Sequence, residues 1–279
     1  FSDSITNLDI KKRKKTIVPS QGVHIVLDKS FLDGNHAIMV PQTTDGRVLF
    51  AVPWNNYVVV GTTDTQIEKI NIEPKPLKEE VEFILKNAGT YMKSAPTFSD
   101  IKSVFAGLRP LAAPKNNEKA TKEISRHHKV TVSMSGLISI LGGKWTTYRK
   151  MAEDTVNTAQ SVAGLQDREC ITHNLPIHGY DYSSNWKNPM HFYGTDIEKI
   201  ENLNIEGNSS ISEEFFISKN QIIWSIRNEM AMNLEDVMAR RTRSLFLNAK
   251  ESLRIAPKVL EIMAKEMKKD TNWIKNESA

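Results

Sequence analysis

The chain has 279 residues, of which 39% are apolar and 25% charged, and a formal net charge of +4. That composition excludes an intrinsically disordered chain, and no run approaches the roughly 20 consecutive apolar residues a membrane-spanning helix needs. One cysteine, Cys170, excludes an internal disulfide framework and fits a reducing compartment.

From about Val23 to Ser139 the apolar pattern is strand-like. Val23–Leu27 is short, β-branched and apolar. Arg47–Val52 follows the turn signal Thr44-Asp45-Gly46, and Tyr57–Val60 follows Asn55-Asn56, so these two runs predict an antiparallel hairpin. Glu79–Tyr91 predicts a helix with Val81, Ile84, Leu85 and Ala88 on one face. Lys129–Ser133 and Leu137–Leu141 predict two more strands about the turn Met134-Ser135-Gly136. The second is almost wholly apolar, which predicts burial on both faces. A helix is expected from Thr146 or Thr147, with Met151, Ala152 and Val156 facing the core. Residues 166–188 look irregular, and helices dominate after them. Ser218–Met230 places Ile222, Ile223, Ile226 and Met230 on one face. Asn233 is a plausible N-cap ahead of Glu235-Asp236, with Arg240, Arg241 and Arg243 near the far end, an order that suits the helix dipole. Ala249–Lys269 is expected to be helical, with an interruption at Pro257. The division falls near 165–188, giving domains 1–165 and 166–279.

Charge is uneven between the two parts. Residues 1–165 hold 22 Lys and Arg against 16 Asp and Glu, while the remainder holds 15 against 17. The basic first part suits an anionic ligand. The run Lys11-Lys12-Arg13-Lys14-Lys15 reads as a solvated loop. No aromatic residues interleave with it, so no nucleic-acid partner is expected. The seven histidines show no metal-ligand spacing, and no metal is expected. The polar N-terminus predicts no signal peptide. A start at Phe1 leads to the expectation of a fragment or trimmed chain.

Several segments could do chemistry. Leu137–Leu141 runs into Gly142-Gly143-Lys144-Trp145-Thr146-Thr147. Two glycines let the backbone approach a ligand, and the helix start adds free amides and the Lys144 charge. An ordinary tight strand-to-helix turn is an equal alternative, and the spacing is not that of a nucleotide-binding P-loop. Arg109, set between Gly107-Leu108 and Pro110, suits a bidentate grip on carboxylate or phosphate; a surface ion pair is the plainer alternative. Gly61-Thr62-Thr63-Asp64-Thr65 presents hydroxyls and a carboxylate to a site or caps the next turn. Arg126 is a second anion contact or a solvated charge. His24 sits inside a strand, where a hydrogen-bonded core histidine is the common outcome.

Seven segments in order, reaching from near the start to about residue 265, carry a resemblance. They are SQGVHIVLD (20–28), DGRVLFAVP (45–53), VGTTDT (60–65), AGLRPL (106–111), EISR (123–126), SGLISILGGKWTTYRKMA (135–152) and NLEDVMARRTRSLFL (233–247). Together the chain resembles the flavin-dependent glycerol-3-phosphate dehydrogenases. The resemblance implies an α+β fold. An antiparallel-sheet substrate domain with part of a flavoprotein FAD domain is followed by an all-helical C-terminal domain. It implies FAD as cofactor and oxidation of sn-glycerol 3-phosphate to dihydroxyacetone phosphate. Electrons would pass to quinone, with a cytoplasmic location peripheral to the inner face of the cell membrane. Gly142, Gly143, Lys144, Thr146 and Thr147 would lie at the isoalloxazine end of FAD. Arg109, Arg126 and Lys144 would hold the substrate. His24 would face the carbon that loses hydride, as a candidate general base. The G-x-G-x-x-G turn that cradles the FAD pyrophosphate in the family is absent from this sequence. The chain alone is therefore expected to bind FAD weakly or not at all and to lack activity. A glycerol-3-phosphate oxidase using oxygen, and a non-catalytic module docking a partner through Arg240, Arg241 and Arg243, remain alternatives.

Overall fold

A computed structural model describes residues 2–9, 15–41, 43–113, 127–203, 210–212 and 214–278. Arg126 and Lys11–Lys14 lie outside the described residues. Contacts divide the chain into two units that interleave along the sequence. The first is Phe1–His24, Gly61–Phe83 and Ala106–Leu175, and the second is Ile25–Val60, Ile84–Phe105 and Pro176–Ala279. In chain order the strands are β1 (Ile17–Asp28), β2 (Ile38–Val40), β3 (Leu49–Trp54), β4 (Tyr57–Gly61), β5 (Thr65–Gln66), β6 (Ser103–Ala112), β7 (Lys129–Val132), β8 (Ile138–Leu141), β9 (Ser210–Ser212) and β10 (Ile217–Ser218). The α-helices are α1 (Ser2–Asp9), α2 (Lys78–Gly89), α3 (Tyr148–Ala163), α4 (Ile197–Glu201), α5 (Lys219–Asn228), α6 (Ser244–Leu247), α7 (Ala249–Met267) and α8 (Thr271–Glu277).

In the first unit the leading half of β1 pairs antiparallel with β5, Ser20 opposite Gln66 and Gln21 opposite Thr65. β6 also pairs with β1, and the Ala113 N–H donates to the Thr16 carbonyl at 2.7 Å. β7 and β8 form an antiparallel hairpin, Lys129 opposite Leu141 through Val132 opposite Ile138. Gly136 in its turn has φ +90°, open to glycine without strain. The apolar strand β8 is not buried on both faces as its composition predicts: Leu141 alone of its residues is buried. The hairpin is a two-stranded ribbon, and a sheet has neighbours on both faces only inside a larger stack. The same geometry explains α3. The helix packs on the ribbon and buries none of its residues. Its expected core face is therefore not enclosed, and Val156 is 57% exposed.

The second unit has the larger core. β2 and β3 pair antiparallel, Ile38 opposite Ala51. β3 and β4 are neighbours joined by Asn55-Asn56, where Asn55 takes a left-handed φ of 54°, as tight hairpins require. Val26, Tyr57, Ile222, Val237, Ile255, Val259 and Met263 form one buried cluster. Each fully buried apolar side chain of this size stabilises the fold by about 1.5–3 kcal/mol. Ser218 caps α5 by accepting from the Gln221 N–H, and Asn248 caps α7 by accepting from the Glu251 N–H at 3.2 Å. Asn233 acts as the cap its sequence context predicts, its Oδ1 accepting from the Asp236 N–H at 2.8 Å. The turn that follows, Asp236–Arg241, is π-helical.

Three local expectations differ. The stretch read as all-helical contains the short antiparallel pair β9–β10. α7 runs unbroken through Pro257, because its buried face, Ile255, Val259, Leu260 and Met263, is anchored on both sides of that residue. Met230 lies past the end of α5 at φ 56° and is 80% exposed. Val81, Ile84, Leu85 and Ala88 of α2 are all buried, as their spacing predicts. Among the described residues no helix is long and apolar enough to cross a membrane. Among them, too, no group of three His, Cys, Asp or Glu is placed to hold a metal ion.

Candidate functional site

His24 and Arg109 meet in the first unit. His24 lies on β1 and Arg109 on β6, and two glycines make their approach workable. A Cβ at Gly61 would collide with the His24 ring, and a Cβ at Gly22 would collide with the Arg109 guanidinium. Glycine inside a strand often marks such a close approach. Burial, and then the positive charge of Arg109, push the His24 imidazole down from 6.5 to about 4. Desolvation disfavours the charged ring, and a neighbouring cation disfavours it further. His24 is therefore neutral at pH 7.

Arg109 is not a loose surface charge. Its Nη2 donates to Thr62 Oγ1 at 2.9 Å and its Nη1 to the Thr63 carbonyl at 3.1 Å. Asp64 Oδ1 stands 3.9 Å from Nη1, and Asp64 itself accepts from the Ser20 hydroxyl. The Gly61–Thr62 peptide is cis. The hydroxyl of Thr62, the carbonyl of Thr63 and the carboxylate of Asp64 are thus turned towards Arg109 and Ser20.

The Gly142–Thr147 turn is the second locus of this unit. Gly142 and Gly143 both take left-handed φ, +70° and +85°. The backbone is crowded there, since a Cβ on Gly142 would stand 3.0 Å from the His127 carbonyl and one on Gly143 would collide with Met151. Glycine is needed at both positions by the fold itself. Lys144 through Tyr148 are exposed, and the Trp145 and Tyr148 rings stack at 5.7 Å. The Thr147 hydroxyl donates to the Lys144 carbonyl at 3.0 Å, which spends it on capping. The Thr147 and Tyr148 N–H groups donate to the Lys144 and Trp145 carbonyls, so the amides of Trp145 and Thr146, at the head of the turn, are the ones a helix start leaves over, and they adjoin the exposed Lys144. Behind them His128 Nε2 pairs with Asp154 Oδ2 at 2.8 Å. Exposed helix-start amides and an ammonium group are a donor set that fits the polar edge of a flavin ring.

The structure therefore brings His24 and Arg109 together with Thr62–Asp64. Gly142, Gly143, Lys144, Thr146 and Thr147 form one turn, with Gly142 against His127 and Ala112 at the end of β6. Arg126 is outside the described residues. Sequence reasoning missed two residues. Gly22 was legible as a glycine interrupting an otherwise strand-like run. Glu80, one of two adjacent glutamates opening α2, reads in sequence as an ordinary helix-dipole charge.

A neutral histidine beside a guanidinium held by Thr62 and Thr63, and a glycine-rich strand-to-helix turn, are the two candidate loci of this α+β protein. Residues 1–149 match the model of the FAD dependent oxidoreductases, and the chain belongs to that family. Residues 170–273 match the C-terminal domain of alpha-glycerophosphate oxidase. The chain is 34% identical over 313 residues to a probable mitochondrial glycerol-3-phosphate dehydrogenase of Dictyostelium discoideum, covering 99% of this chain and 49% of that protein. It is 33% identical to the mitochondrial glycerol-3-phosphate dehydrogenase of Homo sapiens, covering 98% of this chain and 40% of that one. A solved structure of the glycerol-3-phosphate dehydrogenase from Bacillus halodurans complexed with FAD superposes with a TM-score of 0.81 at 28% identity, over 99% of this chain and 58% of that one. The chain thus spans about half the length of the relatives it matches.

Proposed function

We propose that this chain carries the substrate grip and the flavin-ring end of an enzyme that oxidises sn-glycerol 3-phosphate to dihydroxyacetone phosphate. The observation that carries the reading is the neutral His24 beside the restrained Arg109. The names of the relatives, and the FAD in the related solved structure, support it.

Arg109 grips the phosphate, aided by Lys144 and by Arg126. Its fork needs little further ordering, because Thr62 and Thr63 already hold it. His24 Nε2 or Nδ1 accepts the proton of the secondary hydroxyl as the C–H electron pair leaves the substrate. FAD, when bound, supplies the two-electron acceptor. Gly142, Gly143, Lys144, Thr146 and Thr147 would hold its ring end. The amides of Trp145 and Thr146 and the Lys144 ammonium would favour negative charge there.

Quinone is the proposed final acceptor, which requires the protein to sit at a membrane. The proposed location is cytoplasmic, peripheral on the inner face of the cell membrane. Oxygen as acceptor is the second reading, favoured by the match to the oxidase C-terminal domain. Turnover of the full-length enzyme with oxygen against a quinone analogue separates the two. Arg109→Ala in the full-length enzyme tests the grip. The KM for glycerol 3-phosphate should rise at least about tenfold, and calorimetric affinity for the ligand should fall in parallel. An unchanged KM and affinity would remove the phosphate role.

A further inference from the structure

Glu80 holds the backbone segment on which Arg109 rests, through the hydroxyls of Thr63 and Thr65. It lies in the first turn of α2 and is 5% exposed. Its carboxylate accepts four hydrogen bonds, two on each oxygen. Oε1 takes the hydroxyls of Thr63 at 2.9 Å and Thr65 at 2.7 Å. Oε2 takes Gln21 Nε2 at 2.7 Å and the Leu77 N–H at 2.9 Å. The same Thr63 hydroxyl accepts from the Val23 N–H at 3.0 Å, one residue from His24. The Thr63 carbonyl is the acceptor for Arg109 Nη1, and Thr62 Oγ1 is the acceptor for Nη2. A chain of short contacts therefore leads from a buried carboxylate through Thr63 to the guanidinium, with the Thr63 and Thr65 hydroxyls both tied to Glu80.

We infer that Glu80 is a positioning residue: it fixes the Thr62–Thr65 segment so that Arg109 presents its fork in one orientation beside His24. The inference deepens the proposed function and rests on it for the identity of the ligand, a phosphate monoester. A carboxylate accepts all four bonds as they stand, because all four partners donate here; glutamine offers one acceptor oxygen, and with its NH2 towards the threonines both hydroxyls would have to turn and give up the bonds they now donate. An apolar replacement would strand four buried donors.

Glu80→Gln is the direct test. Thr65→Val is a milder second variant that removes one donor and touches neither Arg109 nor His24, and Thr65→Ser is its rescue. Three measurements go together: the 1H–15N signals of the Arg109 side chain, calorimetric affinity for glycerol 3-phosphate, and the melting temperature. The expected result is sharp Arg109 signals in the unmodified protein, broadened in Glu80→Gln and Thr65→Val and restored in Thr65→Ser. Affinity should fall about tenfold in Glu80→Gln and less in Thr65→Val. A purely structural role would lower the melting temperature while leaving the Arg109 signals and the affinity of the folded protein unchanged. That outcome in Glu80→Gln, or in Thr65→Val where Glu80→Gln does not fold, overturns the inference. Ordered Arg109 signals without binding of glycerol 3-phosphate would count against the proposed substrate alone. The response of those signals to the variants still decides the positioning role.

Discussion

The imidazole of His24 makes the stability of this protein depend on pH in a window that can be stated in advance. Its displacement from 6.5 to about 4, at roughly 1.4 kcal/mol per pH unit, corresponds to about 3 kcal/mol in all. The sign follows from which state holds the proton more weakly. Between about 4 and 6.5 the unfolded chain is protonated at this position and the folded protein is not. Stability contributed by the neutral ring is thus fully present above 6.5, falls as the pH drops, and is gone by about 4. From pH 7 to pH 5 the loss from this one residue comes to about 2 kcal/mol. Urea unfolding at both pH values, on the unmodified protein and on His24→Gln, isolates the effect, because every other titrating group is common to both. The carboxyl of Asp45, displaced to about 2 from an ordinary 3.8, titrates below this window. The variant should lose about 2 kcal/mol less than the unmodified protein on going to pH 5. Identical losses, or a His24 ring proton that titrates near 6.5 by NMR, would refute the reasoning.

The two strand glycines should prove as specific as the side chains they admit. Gly22→Ala, by displacing the guanidinium, should weaken affinity for glycerol 3-phosphate about as much as Arg109→Ala while leaving β1 folded, which calorimetry and circular dichroism would check together. Gly61→Ala should move the His24 ring and shift its titration midpoint away from about 4, read by NMR. In the second unit Asn248→Ala removes the cap of α7 and a contact from its Nδ2 to Glu214 Oε1 at 2.7 Å. A loss of about 1–2 kcal/mol in urea unfolding is expected.

What the sequence discloses of this fold depends on how local the cause is. The α2 face and the β3–β4 hairpin are local: a 3.6-residue apolar spacing and an Asn-Asn turn carry their own explanation. The first half of β1 is not. Ser20 and Gln21 are among its most buried residues, and polar residues in a sequence argue for the surface until their partners, Asp64 and Glu80, are known. α3 fails in the opposite direction. Its apolar spacing is a fair helix signal, but whether a stripe is buried depends on what covers it, and a two-stranded ribbon covers little. The candidate site shows the same split. His24, Arg109 and the Gly-Gly-Lys turn stand out as residue types with chemistry. Gly22 shows only as a glycine in a strand-like run and Glu80 as an ordinary helix-start charge; what each touches is tertiary.

The low pKa of His24 bears on its proposed role. A base with a pKa of about 4 is a weak acceptor for an alcohol proton. Part of that depression comes from the positive charge of Arg109, the second cause after burial, which acts despite Asp64 standing 3.9 Å from its Nη1. A phosphate dianion seated on Arg109 cancels that part, and the imidazole becomes more basic when substrate arrives. Binding should therefore take up a proton at pH 5 to 6 and little at pH 8. Titrating glycerol 3-phosphate in two buffers of different ionisation enthalpy measures the uptake directly. His24→Gln should abolish the uptake without abolishing binding, since the grip belongs to Arg109. The phosphate monoester, whose second pKa is about 6, sheds protons of its own on binding as a dianion at pH 5.5, so equal net proton exchange in the unmodified protein and in His24→Gln would show that His24 and the phosphate do not share Arg109, and the general-base assignment would fall with them.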